Sequence, residues 1–279
     1  MQIRDAGDHM AHDLPVADTT RLSRSPLELV VCQIRFEETL AVSDSRLIFA
    51  FHKALGGSRG HYPKIESVKG NRVEIAMGLG RVAGPVSEVA FSGWRMQSTD
   101  GWVVTVMPDN VALESARYTT WSADFLPRLE ALIDATTRHI KPATEQRVGL
   151  RYVDRVSEPA VARPEAWRGL ISDDLLGAIL HPVLGPLVVG AQQHVVLDLE
   201  DGVRAIVRAG MLGERTAPES LAFVLDFDVF REGVREFDAA SIKEAVSHFH
   251  DLNLRLFQQV ATKELRDRLT PPRRGSHGR

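Results

Sequence analysis

The chain repeats one order of local signals. Near its middle a strand-like run, Trp102 to Ala116, leads through Thr119–Trp121 into an amphipathic helix from Ser122 to about His139. Near its end Leu221 to Phe230 leads through Arg235–Phe237 into a longer amphipathic helix from Asp238 to about Leu269. Alternating apolar residues mark strands, and apolar residues recurring at three, four and seven mark helices. With few parallel crossover units, this order predicts an α+β fold of two similar halves, each an antiparallel meander followed by an amphipathic helix packed on one sheet face. The halves span 23–158 and 191–269, joined by a connector over 159–190 in which Pro159, Pro164, Pro182 and Pro186 cluster with glycines. Residues 1–22 lack periodicity and are expected to form a disordered tail, as is the basic stretch 270–279.

Local signals place the elements. Pro26 opens a strand, Leu27 to Phe36, with Val30, Cys32, Ile34 and Phe36 on one face. A helix is expected over Asp44–Leu55, stopped by Gly56-Gly57. Strands are expected over Arg72–Met77, Gly93–Ser98 and Trp102–Met107, the last two joined by Thr99-Asp100-Gly101, since Asp-Gly is a hairpin signal. Ser122 is the expected cap of the first long helix and Pro142 its end. Arg147 to Val156 alternates as a strand, and a short helix is expected over Asp173–Leu180. His194–Leu199 and Val203–Ala209 read as a hairpin across Glu200-Asp201-Gly202, and Asp238 caps the final helix.

Composition narrows the function. The 279 residues carry a net charge of −3 and 44% hydrophobic residues, so no concentrated basic surface suits broad nucleic-acid binding. The single cysteine, Cys32, excludes an intramolecular disulfide and a cysteine-rich zinc site, and its strand context reads as a buried thiol. No apolar stretch approaches the length of a membrane helix, and the polar N-terminus is not a signal peptide, so a cytoplasmic location is expected. No nucleophile elbow, phosphate loop or dinucleotide fingerprint is present, and no cofactor is expected.

Two sets of charged residues could carry chemistry. Arg147, Arg151 and Arg155 recur every four residues and share a strand face, as do Arg204 and Arg208; arginines on a sheet suit phosphate or carboxylate recognition. Asp198 with Glu200, and Asp226 with Asp228, are spaced by two and could hold a divalent cation through oxygen ligands. Cationic strands beside acidic ones resemble the triphosphate-tunnel enzymes, but the paired-glutamate signature of those enzymes is missing. Ion pairs across a sheet explain the same residues. His248 and His250 lie on the last helix two residues apart, where they do not face each other. Trp94 and Trp102 could stack on single-stranded bases, a third and weaker reading.

The segments Pro26-Leu27-Glu28-Leu29-Val30-Val31-Cys32-Gln33-Ile34-Arg35-Phe36 with Tyr62-Pro63, Arg147-Val148-Gly149-Leu150-Arg151-Tyr152-Val153-Asp154-Arg155-Val156, and the closing helix with His250 and Phe257 resemble a sporadically distributed bacterial family to which no chemistry is assigned. The resemblance spans roughly 24–269. Patchy occurrence implies horizontal transfer, and so a mobile-element or phage-defence setting. The expectation is a non-catalytic accessory component that binds another protein through sheet edges, with a homodimer through the C-terminal helix as a further option. The rival is an enzyme or sensor for a phosphorylated ligand, nucleotide or triphosphate, using Arg151, Arg155, Arg204 and Arg208 with a cation on Asp226, Asp228, Asp198 and Glu200.

Overall fold

The computed structural model describes residues 14–57, 61–73, 77–78, 81–82, 88–158, 161, 163–200, 202–212 and 221–270. Residues 1–13 and 271–279, the larger parts of the two expected tails, lie outside this set, as do 74–76 of the expected strand Arg72–Met77. The strands are β1 (Leu27–Phe36), β2 (Lys64–Val73), β3 (Met77–Gly78), β4 (Arg81–Val82), β5 (Glu88–Gln97), β6 (Trp102–Met107), β7 (Asn110–Ser115), β8 (Thr144–Val156), β9 (Ala191–Glu200), β10 (Val203–Leu212) and β11 (Ala222–Glu236). The α-helices are α1 (Ser45–Ala54), α2 (Leu126–Ala135), α3 (Asp173–Leu176), α4 (Ala239–Val260) and α5 (Lys263–Leu269). The fold is α+β, as expected. Nine strands form an antiparallel sheet in the order β2-β5-β6-β7-β1-β8-β11-β10-β9, and β3 pairs with β4 apart from it.

The chain divides into two compact units, and β1, β8, β11 and α4 contribute residues to both. One unit comprises Val31–Val148 and Gly233–Glu244. Its core follows strand parity: Cys32, Ile34 and Phe36 of β1, Val104 and Val106 of β6, and Val111 and Leu113 of β7 are fully buried. Phe51 of α1 and Phe125, Leu129, Leu132 and Ile133 beside and within α2 join the buried set. Each large apolar side chain removed from water stabilises by about 1.5–3 kcal/mol. The β5–β6 hairpin turns at Gly101, whose φ of 91° is costly for any residue with a Cβ.

Ser122 does not cap α2. The helix is entered through a π turn over Trp121–Phe125, in which the Phe125 amide donates to Thr120 O at 3.1 Å. Trp121 stacks on Phe125 at 4.7 Å, and Asp124 Oδ2 accepts from the Thr119 amide and hydroxyl, so the entry acceptor is Asp124. A second π turn, Thr136–Ile140, closes the helix at Lys141, whose φ of 56° is left-handed, just before Pro142.

The other unit comprises Met1–Val30, Gly149–Glu232 and Ala245–Arg279. Phe223, Leu225, Phe227 and Val229 of β11 and Phe249 of α4 are fully buried. Asn253, almost fully buried, donates from Nδ2 to Leu150 O of β8 at 3.2 Å and to Phe249 O at 2.8 Å. It is a hydrogen-bonded core residue. The last helix is not continuous to Leu269. At Ala261 the chain bridges Ile171, Ser172 N donates to Val260 O and Thr262 N to Leu170 O, so this pairing replaces helical bonds. Thr262 then caps α5 by accepting from Leu265 N at 3.2 Å. Residues 14–22, inside the expected tail, hold to α4: Gln258 donates to Asp18 O at 2.7 Å and accepts from Asp18 N at 2.9 Å. No described helix is long and apolar enough to cross a membrane.

Candidate functional site

The strand arginines meet the acids on the face of β11 opposite its buried phenylalanines. Strand parity puts Val224, Asp226, Asp228 and Phe230 there. Register then aligns three cross-strand rows: Asp226 with Arg208 and His194, Asp228 with Ile206 and Val196, and Phe230 with Arg204 and Asp198. Arg151 of β8 reaches the first row. Its Nε donates to Asp226 Oδ1 at 2.7 Å and its Nη2 to Oδ2 at 2.8 Å, a bidentate pair. Arg208 Nη1 donates to the same Oδ2 at 3.2 Å. Donating hydrogen bonds to Asp226 raises the Arg151 pKa, burial opposes the rise, and the charges of Asp226 and Asp228 add to it.

The other expected ligands part company. Arg204 pairs with Glu232 at 2.7 Å and lies over the Phe230 ring at 5.4 Å. Arg155 pairs with Glu28 at 3.8 Å. Asp198 of β9 stands directly opposite Arg204 of β10, Asp228 of β11 stands opposite Ile206 of β10, and the side chain of Glu200 lies outside the described set. The structure thus brings together Arg151, Arg208 and Asp226, and not all four arginines. Among the described residues no three His, Cys, Asp or Glu side chains are grouped so as to hold a metal ion.

Beside Arg208 the sheet carries a depression of about 450 Å³, lined by Gly190, Ala191, Gln192, Gly210, Met211 and Val224 besides Arg208 and Asp226. Local patterning does not single out these lining residues; the glycines Gly190 and Gly210 are its only visible trace. Equally hidden from it is an apolar run leading into β9. Val183, Leu184, Leu187 and Val189 are exposed, from 51% for Leu184 to 69% for Val183, and Val196 within β9 is 58% exposed. β9 ends the sheet order, so among the described residues it pairs with β10 alone.

On the opposite face of β8, Tyr152 OH lies 2.7 Å from His250 Nδ1. Burial pushes the His250 pKa down to about 4, although the charge of Asp251 opposes this. Two residues along, Asp154 is buried, and burial pushes its carboxyl up to about 7. His250 is half-buried and packs against Tyr152, their rings 6.0 Å apart. Cys32 is fully buried and its thiol is pushed up to about 12 by desolvation, which removes the thiolate that reactivity needs.

Of the two tryptophans considered for base stacking, one is buried and the other half-buried. Trp102 is buried under the Arg128 guanidinium at 5.1 Å, and Arg128 pairs in turn with Asp100 and Asp124. Trp94 donates its indole N–H to Val42 O at 3.1 Å. Compared with known proteins, the chain matches no family model, no curated protein and no solved structure.

Proposed function

We propose that this chain is a non-catalytic accessory component that binds another protein by accepting an extended segment along β9. The observation that carries this reading is the position of its exposed apolar residues. Five of the nine large apolar side chains exposed among the described residues, Val183, Leu184, Leu187, Val189 and Val196, fall on or just before a terminal strand. Outward-facing N–H and C=O groups of an edge strand give affinity to an added strand, and neighbouring apolar side chains give it something to bury. Exposed apolar residues gathered along one stretch of chain support a partner surface there. The C-terminal helix supports a homodimer less well, because Ile242, Val246, Phe249, Leu252 and Leu256 of α4 are already buried within the chain.

A bacterial mobile-element or phage-defence setting rests on the family resemblance alone. The two meander-and-helix halves are read as an internal duplication, supported by a strand order in which β5-β6-β7 and β11-β10-β9 flank β1-β8. The rival reading, a phosphorylated ligand held by arginines and a cation, has the Arg151–Asp226–Arg208 cluster in its favour, but there the carboxylate of Asp226 already serves two guanidinium groups.

The test is purification from the native host at near-physiological salt, comparing the wild-type chain with Leu187→Glu and Val189→Glu. Both positions are exposed, so the variants should keep the wild-type melting temperature. A protein held in fixed stoichiometry by the wild type and lost from both variants supports the proposal. A chain that elutes alone, keeps its partner in both variants, or turns over a substrate contradicts it.

A further inference from the structure

We infer that the depression beside Arg208 binds a singly charged carboxylate carried on an apolar body. The charge count comes first. Arg151, Arg208 and Asp226 together carry one net positive charge, which one carboxylate neutralises. That surplus counts only the directly bonded groups; the charge of Asp228 also acts on Arg151 and lowers it for any anion, so a doubly or triply charged phosphate exceeds it further than a single carboxylate does. The donors come second. Asp226, with its side chain 7% exposed, is an internal counter-ion that fixes both guanidinium groups. Arg208 is 31% exposed and gives Asp226 its Nη1 alone among its described bonds, leaving Nε and Nη2 as a fork for a ligand. A guanidinium already held in place loses little freedom on binding.

The shape of the depression sets the rest of the ligand. Ala191, Met211 and Val224 supply apolar walls. Gly210 leaves the floor bare, and a Cβ there would come within 2.6 Å of Ala191 O. Gly190 borders open space: a Cβ there meets nothing within 4 Å. The carboxylate could come from a free short-chain acid or from the C-terminus of a peptide. The site does not depend on strand addition to β9, and its test needs no protein partner.

Binding is measured by calorimetry on the full chain with hexanoate, with N-acetyl-alanyl-valine, with the C-terminal amide of that dipeptide, and with inorganic phosphate and ATP. The expected result is binding of at least one acid, about tenfold weaker binding of the amide, and weaker binding of both phosphates. Arg208→Gln and Gly190→Leu should each weaken the acid about tenfold or more, Gly190→Leu with an unchanged melting temperature because its side chain enters open space. A preference for hexanoate identifies a free acid as the source, and a preference for the dipeptide identifies a protein C-terminus. The inference is overturned if neither acid binds, if acid and amide bind alike, if a phosphate binds more tightly, or if either variant binds as the wild type does.

Discussion

Asp154 is a carboxyl group where the parity of β8 otherwise buries Val148, Leu150, Tyr152 and Val156. Burial disfavours its charge, so its folded-state pKa of about 7 lies above the ordinary value of 3.8. The stability it allows is fully present below the unfolded pKa and is lost as pH rises through about 7. His250 has the opposite sign. Its folded pKa of about 4 lies below 6.5, so its contribution is present above 6.5 and is lost as pH falls through about 4. Asp154→Asn should therefore be more stable than the wild type above pH 7, by about 2–4 kcal/mol in denaturant unfolding, with the advantage vanishing toward pH 4. A constant difference across that range would show that Asp154 does not titrate as described. At the sheet face, Asp226→Ala leaves Arg151 and Arg208 without their shared partner, and should cost about 1–3 kcal/mol in the same assay. A neutral result would mean that solvent compensates both arginines.

Among the elements, α4 and α5 form two helices because of one residue pair far apart in sequence. Ile171 bridges Ala261, and Thr262 restarts the helix as a cap while its hydroxyl donates to Gly169 O at 2.6 Å. Thr262→Ala should cost about 1 kcal/mol and increase amide exchange over Lys263–Leu269 before the rest of the chain. Equal exchange in the two proteins would assign α5 its stability from packing alone. The break is not legible locally, since Ile242, Val246, Phe249, Leu256, Val260, Leu265 and Leu269 extend one apolar pattern across it. Legible elements are those specified by their own residues: β1 from Val30, Cys32, Ile34 and Phe36, the Asp100-Gly101 turn, and the Asp238 cap, which accepts from Ser241 N at 2.7 Å. The start of α2 departs from the local pattern because the stacked Trp121–Phe125 pair and the Asp124 acceptor take the place of an ordinary cap at Ser122.

Across the whole chain, the candidate site depends on strand order. The faces of Arg151, Arg208 and Asp226 follow from parity, but their meeting requires β8, β11 and β10 to be consecutive neighbours, which no local spacing encodes. The same holds for the divergence of Arg204 to Glu232 and Arg155 to Glu28. The exposed apolar run is hidden for a related reason: Val183, Leu184, Leu187 and Val189 look like any connector residues until β9 is known to be terminal. That terminal position underlies the proposal that β9 takes up an extended segment of another protein. Hydrogen–deuterium exchange of the chain, alone and with a protein that co-purifies with it as proposed, probes the added strand itself. Strand addition predicts new protection at alternate amides of Ala191–Glu200, with β2, the terminal strand at the other end of the sheet order, unchanged. Protection confined to α4, or none within β9, would contradict it.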